Sequence, residues 1–175
     1  MMRNFFIQLG LILLFTLTCS VETNLACFVG SPSDHLKDRR GYNYFVKDYN
    51  RTIAIFTGKV VELDQFKVKF KVDKIWKGNI SSEFIMSAGA VPTVNIPNGF
   101  TFDCDYQFEL GKTYLVYAQQ HFVSDFMFDK FYGEIVPEYK NLLWASKTSR
   151  TRQLKDAKLG IENLNKLNKP KKAKN

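Results

Sequence analysis

Apolar and polar residues alternate without a break in FKVKFKVD, residues 66–73. Phe66, Val68, Phe70 and Val72 fall on one face, and Lys67, Lys69, Lys71 and Asp73 on the other. That period of two predicts a half-buried antiparallel strand. The run before it, TIAIFTGKVVEL (52–63), is rich in β-branched residues and holds Gly58 where a bulge is expected. LDQ (63–65) between the two runs suits a hairpin turn, and KGN (77–79) closes the second strand. SEFIMSAGA (82–90) predicts a third strand, GKTYLVYAQQ (111–120) a fourth and DKFYGEIVPEY (129–139) a fifth. VPTVNIPNGFTFDCD (91–105) reads as a Pro/Gly/Asn loop carrying Cys104. Five short strands with no helix between them predict a mainly β domain, a small barrel or sandwich.

The two ends of the chain differ from this middle. Residues 31–51 are polar and charged and read as a loop with a short helix. Near the C-terminus, Leu154, Ala157, Ile161 and Leu164 recur every three or four residues, the stripe of an amphipathic helix over 151–167 with Ser149 as its N-cap. The following NKPKKAKN (168–175) contains Pro170 and no apolar anchor, and disorder is expected there. At the N-terminus, Arg3 precedes an apolar run over residues 5–17. A bilayer span needs about 20 apolar residues, so the run reads as a secretory signal over 1–26, cleaved after residue 20 or after residue 26. The chain is then secreted, extracellular or periplasmic. Lipid attachment at Cys19 is the weaker reading, because the preceding TLT fits that signal poorly.

Charge refines the picture. The net charge is +8, and from Lys147 onward ten Lys or Arg are opposed by Asp156 and Glu162 alone. The last segment therefore carries the whole excess, and the body before it is neutral. This is not the pattern of a dedicated nucleic-acid-binding domain. Lys169, Lys171, Lys172 and Lys174 make a basic tail, read either as solvated or as a weak contact for a polyanion or an anionic surface. The Lys67, Lys69 and Lys71 row has the same two readings, a solvent face or a basic stripe. His35 and His121 are the only histidines. Neither stands at metal-ligand spacing, and HExxH and GxSxG are absent. A binding protein without cofactor is expected, not an enzyme. Asn50 (NRT) and Asn79 (NIS) match the acceptor pattern for N-glycosylation, which has meaning in a eukaryotic host.

The three cysteines are Cys19, Cys27 and Cys104. If signal cleavage removes Cys19, the remaining two are expected to pair in an oxidising compartment. Closing so long a loop would stabilise the fold by up to roughly 4–5 kcal/mol.

The order Cys27, IAIFTGKVVEL, VKFKVDKIWKG, Cys104, YQFELGKTYLVYA and SRTRQLKDAKLGIENL resembles the inhibitory domain of the tissue inhibitors of metalloproteinases and their netrin-like relatives. The resemblance covers residues 27–167. It implies a five-stranded OB-like closed barrel with a flanking C-terminal helix. It further implies that Cys27, as the first mature residue, chelates the zinc of a target metalloprotease through its α-amine and carbonyl. An α-amine has a pKa of about 7.7–8.0, so part of it is neutral and able to ligate zinc at physiological pH. By the same resemblance Phe28 enters the protease specificity pocket, and a Cys27–Cys104 disulfide pins the chelating end. The alternative is a non-inhibitory extracellular or envelope module that binds protein or polyanion.

Overall fold

The computed structural model describes residues 39–99, 101, 104–120, 133–147 and 149–173. A first helix, α1 (Arg39–Arg51), leads into β1 (Ala54–Leu63), β2 (Lys67–Lys77) and β3 (Glu83–Ser87). After a long excursion come β4 (Thr113–Ala118), the short helix α2 (Pro137–Lys140), β5 (Arg152–Gln153), a 3-10 turn (Leu154–Asp156), α3 (Lys158–Leu167) and β6 (Lys171–Lys172). The six strands form one antiparallel sheet in the order β3-β2-β1-β4-β5, with β6 added to β2.

The alternation in β2 is realised: Val68, Phe70 and Val72 are buried while Lys71 and Asp73 are exposed. Asp64 makes the predicted hairpin turn. Its Oδ1 accepts the backbone N–H of Phe66 at 2.7 Å and of Lys67 at 2.6 Å, the local bond that suits Asp to turns. The β1–β2 register shifts between Thr57 and Gly58, where the bulge was expected. Gly78 ends β2 at φ +92°, with a Cβ there only 2.9 Å from the Ala54 Cβ, so only glycine fits.

Both faces of the sheet are buried. Phe56, Val60, Val68, Phe70, Met86, Tyr114 and Val116 form the larger core. On the other face Ile55, Trp76, Leu115 and Tyr117 meet Phe45 of α1 together with Ala157 and Leu164 at α3. Two anchors hold the helices there. The Lys77 ammonium donates to the Tyr49 and Asn50 carbonyls at the end of α1, satisfying acceptors that a helix terminus leaves open. Trp76 Nε1 donates to Asn165 Oδ1 at 2.9 Å, and Asn168 Nδ2 donates to the Trp76 carbonyl at 3.0 Å.

Several expectations are corrected. The sheet is open, not a closed barrel: β3 and β5 lie at opposite ends of the strand order and do not pair. The fifth strand expected over 129–139 does not form among its described residues. Ile135 makes one isolated bridge, to Thr93. Pro137, which has no N–H to offer a ladder, starts α2 instead. The two-residue β5 takes the place beside β4, too short to reach round to β3. The C-terminal helix begins at Lys158, capped by Ala157 without a side-chain bond, so Ser149 is not its N-cap. Leu154 falls in the 3-10 turn and is exposed; Ala157, Ile161 and Leu164 are the part of the stripe that packs. The polar segment before β1 contains a helix of 13 residues from Arg39. The tail expected to be disordered runs along β2 as far as residue 173. Its anchor is Ala173, which packs against the larger core and whose N–H reaches the Asp73 carbonyl.

Burial also fixes a pH response. Tyr117 is almost fully buried and its hydroxyl has no hydrogen-bond partner among the described residues. Burial pushes its pKa up, and pushes Tyr106 up to about 12 from the ordinary 10.0. Both phenols hold their protons more tightly in the folded chain than in the unfolded one. Their stabilisation is therefore complete below pH 10 and is lost as the pH rises through about 12. Melting temperature measured from pH 8 to pH 12 should fall along that limb. Tyr117→Phe removes an orphan hydroxyl, so it should match or exceed the wild type by up to about 1 kcal/mol near pH 7 and flatten the alkaline fall. A fall that stays as steep in Tyr117→Phe/Tyr106→Phe would refute this assignment.

Candidate functional site

Two features of the surface bear on function: the corner that carries Cys104, and the lysines along β2. Residues 104–106 run antiparallel against 145–147. The Lys147 N–H donates to the Cys104 carbonyl at 2.7 Å, Asp105 bridges Ser146, and the Tyr106 N–H donates to the Ala145 carbonyl at 3.0 Å. The end of β3 closes the same corner, with the Ser87 N–H donating to the Leu143 carbonyl at 2.8 Å. Gly89 permits that closure. It has φ +119°, and a Cβ on it would lie 2.8 Å from the Cβ of Asp105. Asp105 is fully buried and Cys104 half-buried above it. Cys104 is the one cysteine among the described residues; Cys19, Cys27 and Phe28 lie outside them.

Beside this corner, the β1–β2 hairpin overhangs an open cleft of about 260 Å3. Leu63, Asp64 and Gln65 form one wall, and Ala88, Ala90, Thr101, Gln107 and Phe108 the rest. The hairpin is tied down by a hydrogen bond from Gln65 Nε2 to the Asn98 carbonyl and by Phe66 packing edge-on against Tyr139. The lining is half apolar and half amide, hydroxyl and carboxylate. Among the described residues no group of three or more His, Cys, Asp or Glu is placed to hold a metal. Among them too, no helix is long and apolar enough to cross a membrane.

The lysine row divides in two. Lys67 pairs with Glu138 at 3.0 Å and lies over the Tyr139 ring. Lys69 sits between Glu62 at 3.1 Å and Glu83 at 3.0 Å. These hydrogen bonds to carboxylates raise both lysine pKa values, that of Lys67 chiefly through Glu138 and that of Lys69 chiefly through Glu83. The stripe read from the sequence is thus neutralised over its first half. Further along β2 the opposite holds. Lys59 of β1 faces Lys71, and Lys74 faces Lys172 of β6, each directly across the ladder. All four are exposed and make no ion pair among the described residues, although Glu83 of β3 stands opposite Lys71 and gives its carboxylate to Lys69. Of the tail lysines, Lys169, Lys171 and Lys172 are exposed, and Lys174 lies outside the described residues. Sequence reasoning missed the Lys74–Lys172 juxtaposition, because no local pattern in NKPKKAKN signals a strand. The one available hint was Ala173, small and apolar among lysines.

No family model matches the chain, and no curated protein or solved structure matches it.

Proposed function

We propose that the chain is a secreted binding module that presents Cys27 to the catalytic zinc of a metalloprotease. Phe28 then enters the neighbouring specificity pocket. The observation that carries this reading is the place of Cys104 on a corner tied by backbone hydrogen bonds to residues 145–147. The other two cysteines, Cys19 and Cys27, both lie in the N-terminal segment. Bonded to Cys27, Cys104 would hold a free N-terminus beside the cleft under the β1–β2 hairpin, on a corner made rigid by the 104–106 and 145–147 pairing. Such pre-ordering lowers the entropic cost of docking. The barrel detail of the resemblance is not needed for this, since an open sheet can carry a pinned end equally well.

The test is a single residue added before Cys27. Chelation needs the free α-amine, so an Ala-extended protein should lose inhibition of a zinc metalloprotease by roughly 100-fold or more, the scale of losing a zinc ligand and its neighbouring contacts. Retained inhibition by the extended protein would sink the mechanism. A mature N-terminus at Val21, or a lipid on Cys19, would do the same. A second reading, a module that binds a polyanion without inhibiting, is favoured by the unpaired lysines of β2 and β6.

A further inference from the structure

The lysines on one face of the sheet receive two different treatments. Lys67 and Lys69 are each held by carboxylates from neighbouring elements. Lys59, Lys71, Lys74 and Lys172 make no such ion pair, and they are set as two like-charged cross-strand pairs, with the Glu83 opposite Lys71 on its other side already engaged by Lys69. Val72 and Ile75 both enter the larger core. Lys71 and Lys74, each one residue earlier, therefore turn to the opposite face. The bulge at Thr57/Gly58 makes this possible, because it absorbs the odd residue between them. The four ammonium groups thus lie on one face as two pairs. The pairs are about 10 Å apart along β2, three residues of strand, and each is about 5 Å across the ladder.

Like charges directly opposed weaken a ladder, and the ladder here is only two residues long. The tail, whose four lysines equal half of the net charge of +8, is nonetheless laid against β2, so that Lys172 stands opposite Lys74. An anion bridging the two would remove the repulsion and tighten the pairing. Its charges would have to repeat along a line to meet both pairs. We propose that the face across β1, β2 and β6 is a binding site for a linear sulfated polysaccharide, contacted by Lys59, Lys71, Lys74 and Lys172. This deepens the polyanion reading above and does not depend on Cys27.

The face lacks what single-stranded nucleic acid asks for. Single-stranded nucleic acid binds on exposed aromatic rings, and among the described residues the exposed large apolar side chains are all aliphatic. Binding by charge alone, along a row of lysines, is salt-dependent, with a slope set by how many anionic groups the lysines neutralise. The bound polymer would also order the tail, because only the paired conformation brings Lys172 to Lys74. Ligand affinity and tail order are then linked.

The experiment uses the full secreted chain and heparin as the probe. Affinity is measured across a salt series, and thermal melts confirm that each variant is folded. Lys74→Gln/Lys172→Gln should weaken binding about tenfold and reduce the salt slope by roughly two, about one for each lysine neutralised. Lys67→Gln/Lys69→Gln, which removes two lysines already paired with acids, should change affinity by less than about twofold. Heparin should slow tryptic cleavage at Lys171 in the wild type and not in the first variant. Heparin binding that ignores Lys74→Gln/Lys172→Gln would overturn the site while leaving the polyanion reading in place. No heparin binding at physiological salt would overturn both. Equal affinity for duplex DNA, or for vesicles rich in phosphatidylserine, would overturn the polysaccharide assignment.

Discussion

Phe70→Ala should destabilise the fold by about 3–5 kcal/mol, the usual cost of deleting a fully buried phenyl group. Phe70 is 0% exposed and sits where three strands meet, opposite Val60 of β1 and Phe84 of β3. Its ring meets Phe56 edge-on at 5.3 Å and Phe108 at 5.1 Å. Each of those rings continues the chain, Phe56 to Phe84 and Phe108 to Tyr114. Removing Phe70 opens a cavity and also cuts this line of T-shaped pairs, each worth about 0.5–1.5 kcal/mol beyond area burial. Phe56 belongs to β1 and Phe108 to the segment before β4, so collapse into the gap would have to move two separate stretches of backbone. A fall in melting temperature of roughly 10 °C, with an unchanged denaturant slope, is the expected result. A loss below about 1 kcal/mol would mean that the two halves of the core do not meet at Phe70.

The same strand shows what the sequence could and could not disclose. FKVKFKVD announces its own structure because one face is buried and the other is wet, so burial is written at period two. β4 does not: Tyr114, Leu115, Val116, Tyr117 and Ala118 are all buried, since α1 and α3 cover the face that would otherwise be polar. A run like that predicts a strand but not its neighbours. Closure was the expectation that failed. It depends on whether the outer strands reach one another, and neither the two residues of β5 nor the Pro137 that ends the supposed fifth strand could signal that. Of the candidate site, Cys104 and the lysines were legible as residue types. Which lysines are neutralised was not, because Glu138 lies far along the chain from Lys67, and Lys172 far from Lys74. Those pairings are made by strand register, and register is decided by the whole sheet.

Asp48→Ala should cost more than Arg150→Ala, although both break one ion pair. Arg150 Nε donates to Asp48 Oδ2 at 2.9 Å; the arginine side chain is 7% exposed and the aspartate 46%. Without Arg150, the Asp48 carboxylate turns to water and loses little. The cost of that variant, about 1–2 kcal/mol, is mostly the missing packing of the arginine stem and of its guanidinium over the Phe45 ring at 5.3 Å. Without Asp48, a buried guanidinium is left with no counter-charge, which costs about 3–5 kcal/mol. Arg150→Met in the Asp48→Ala background should then recover most of the loss, because the charge and its missing partner disappear together. The consequence falls first on α1, which the pair ties to the segment leading into β5. Amide exchange in α1, from Phe45 to Arg51, should accelerate before that of β1. If Asp48→Ala and Arg150→Ala proved equally costly and strictly additive, the pair would be a surface contact, and the packing of Phe45 alone would hold the helix on the sheet.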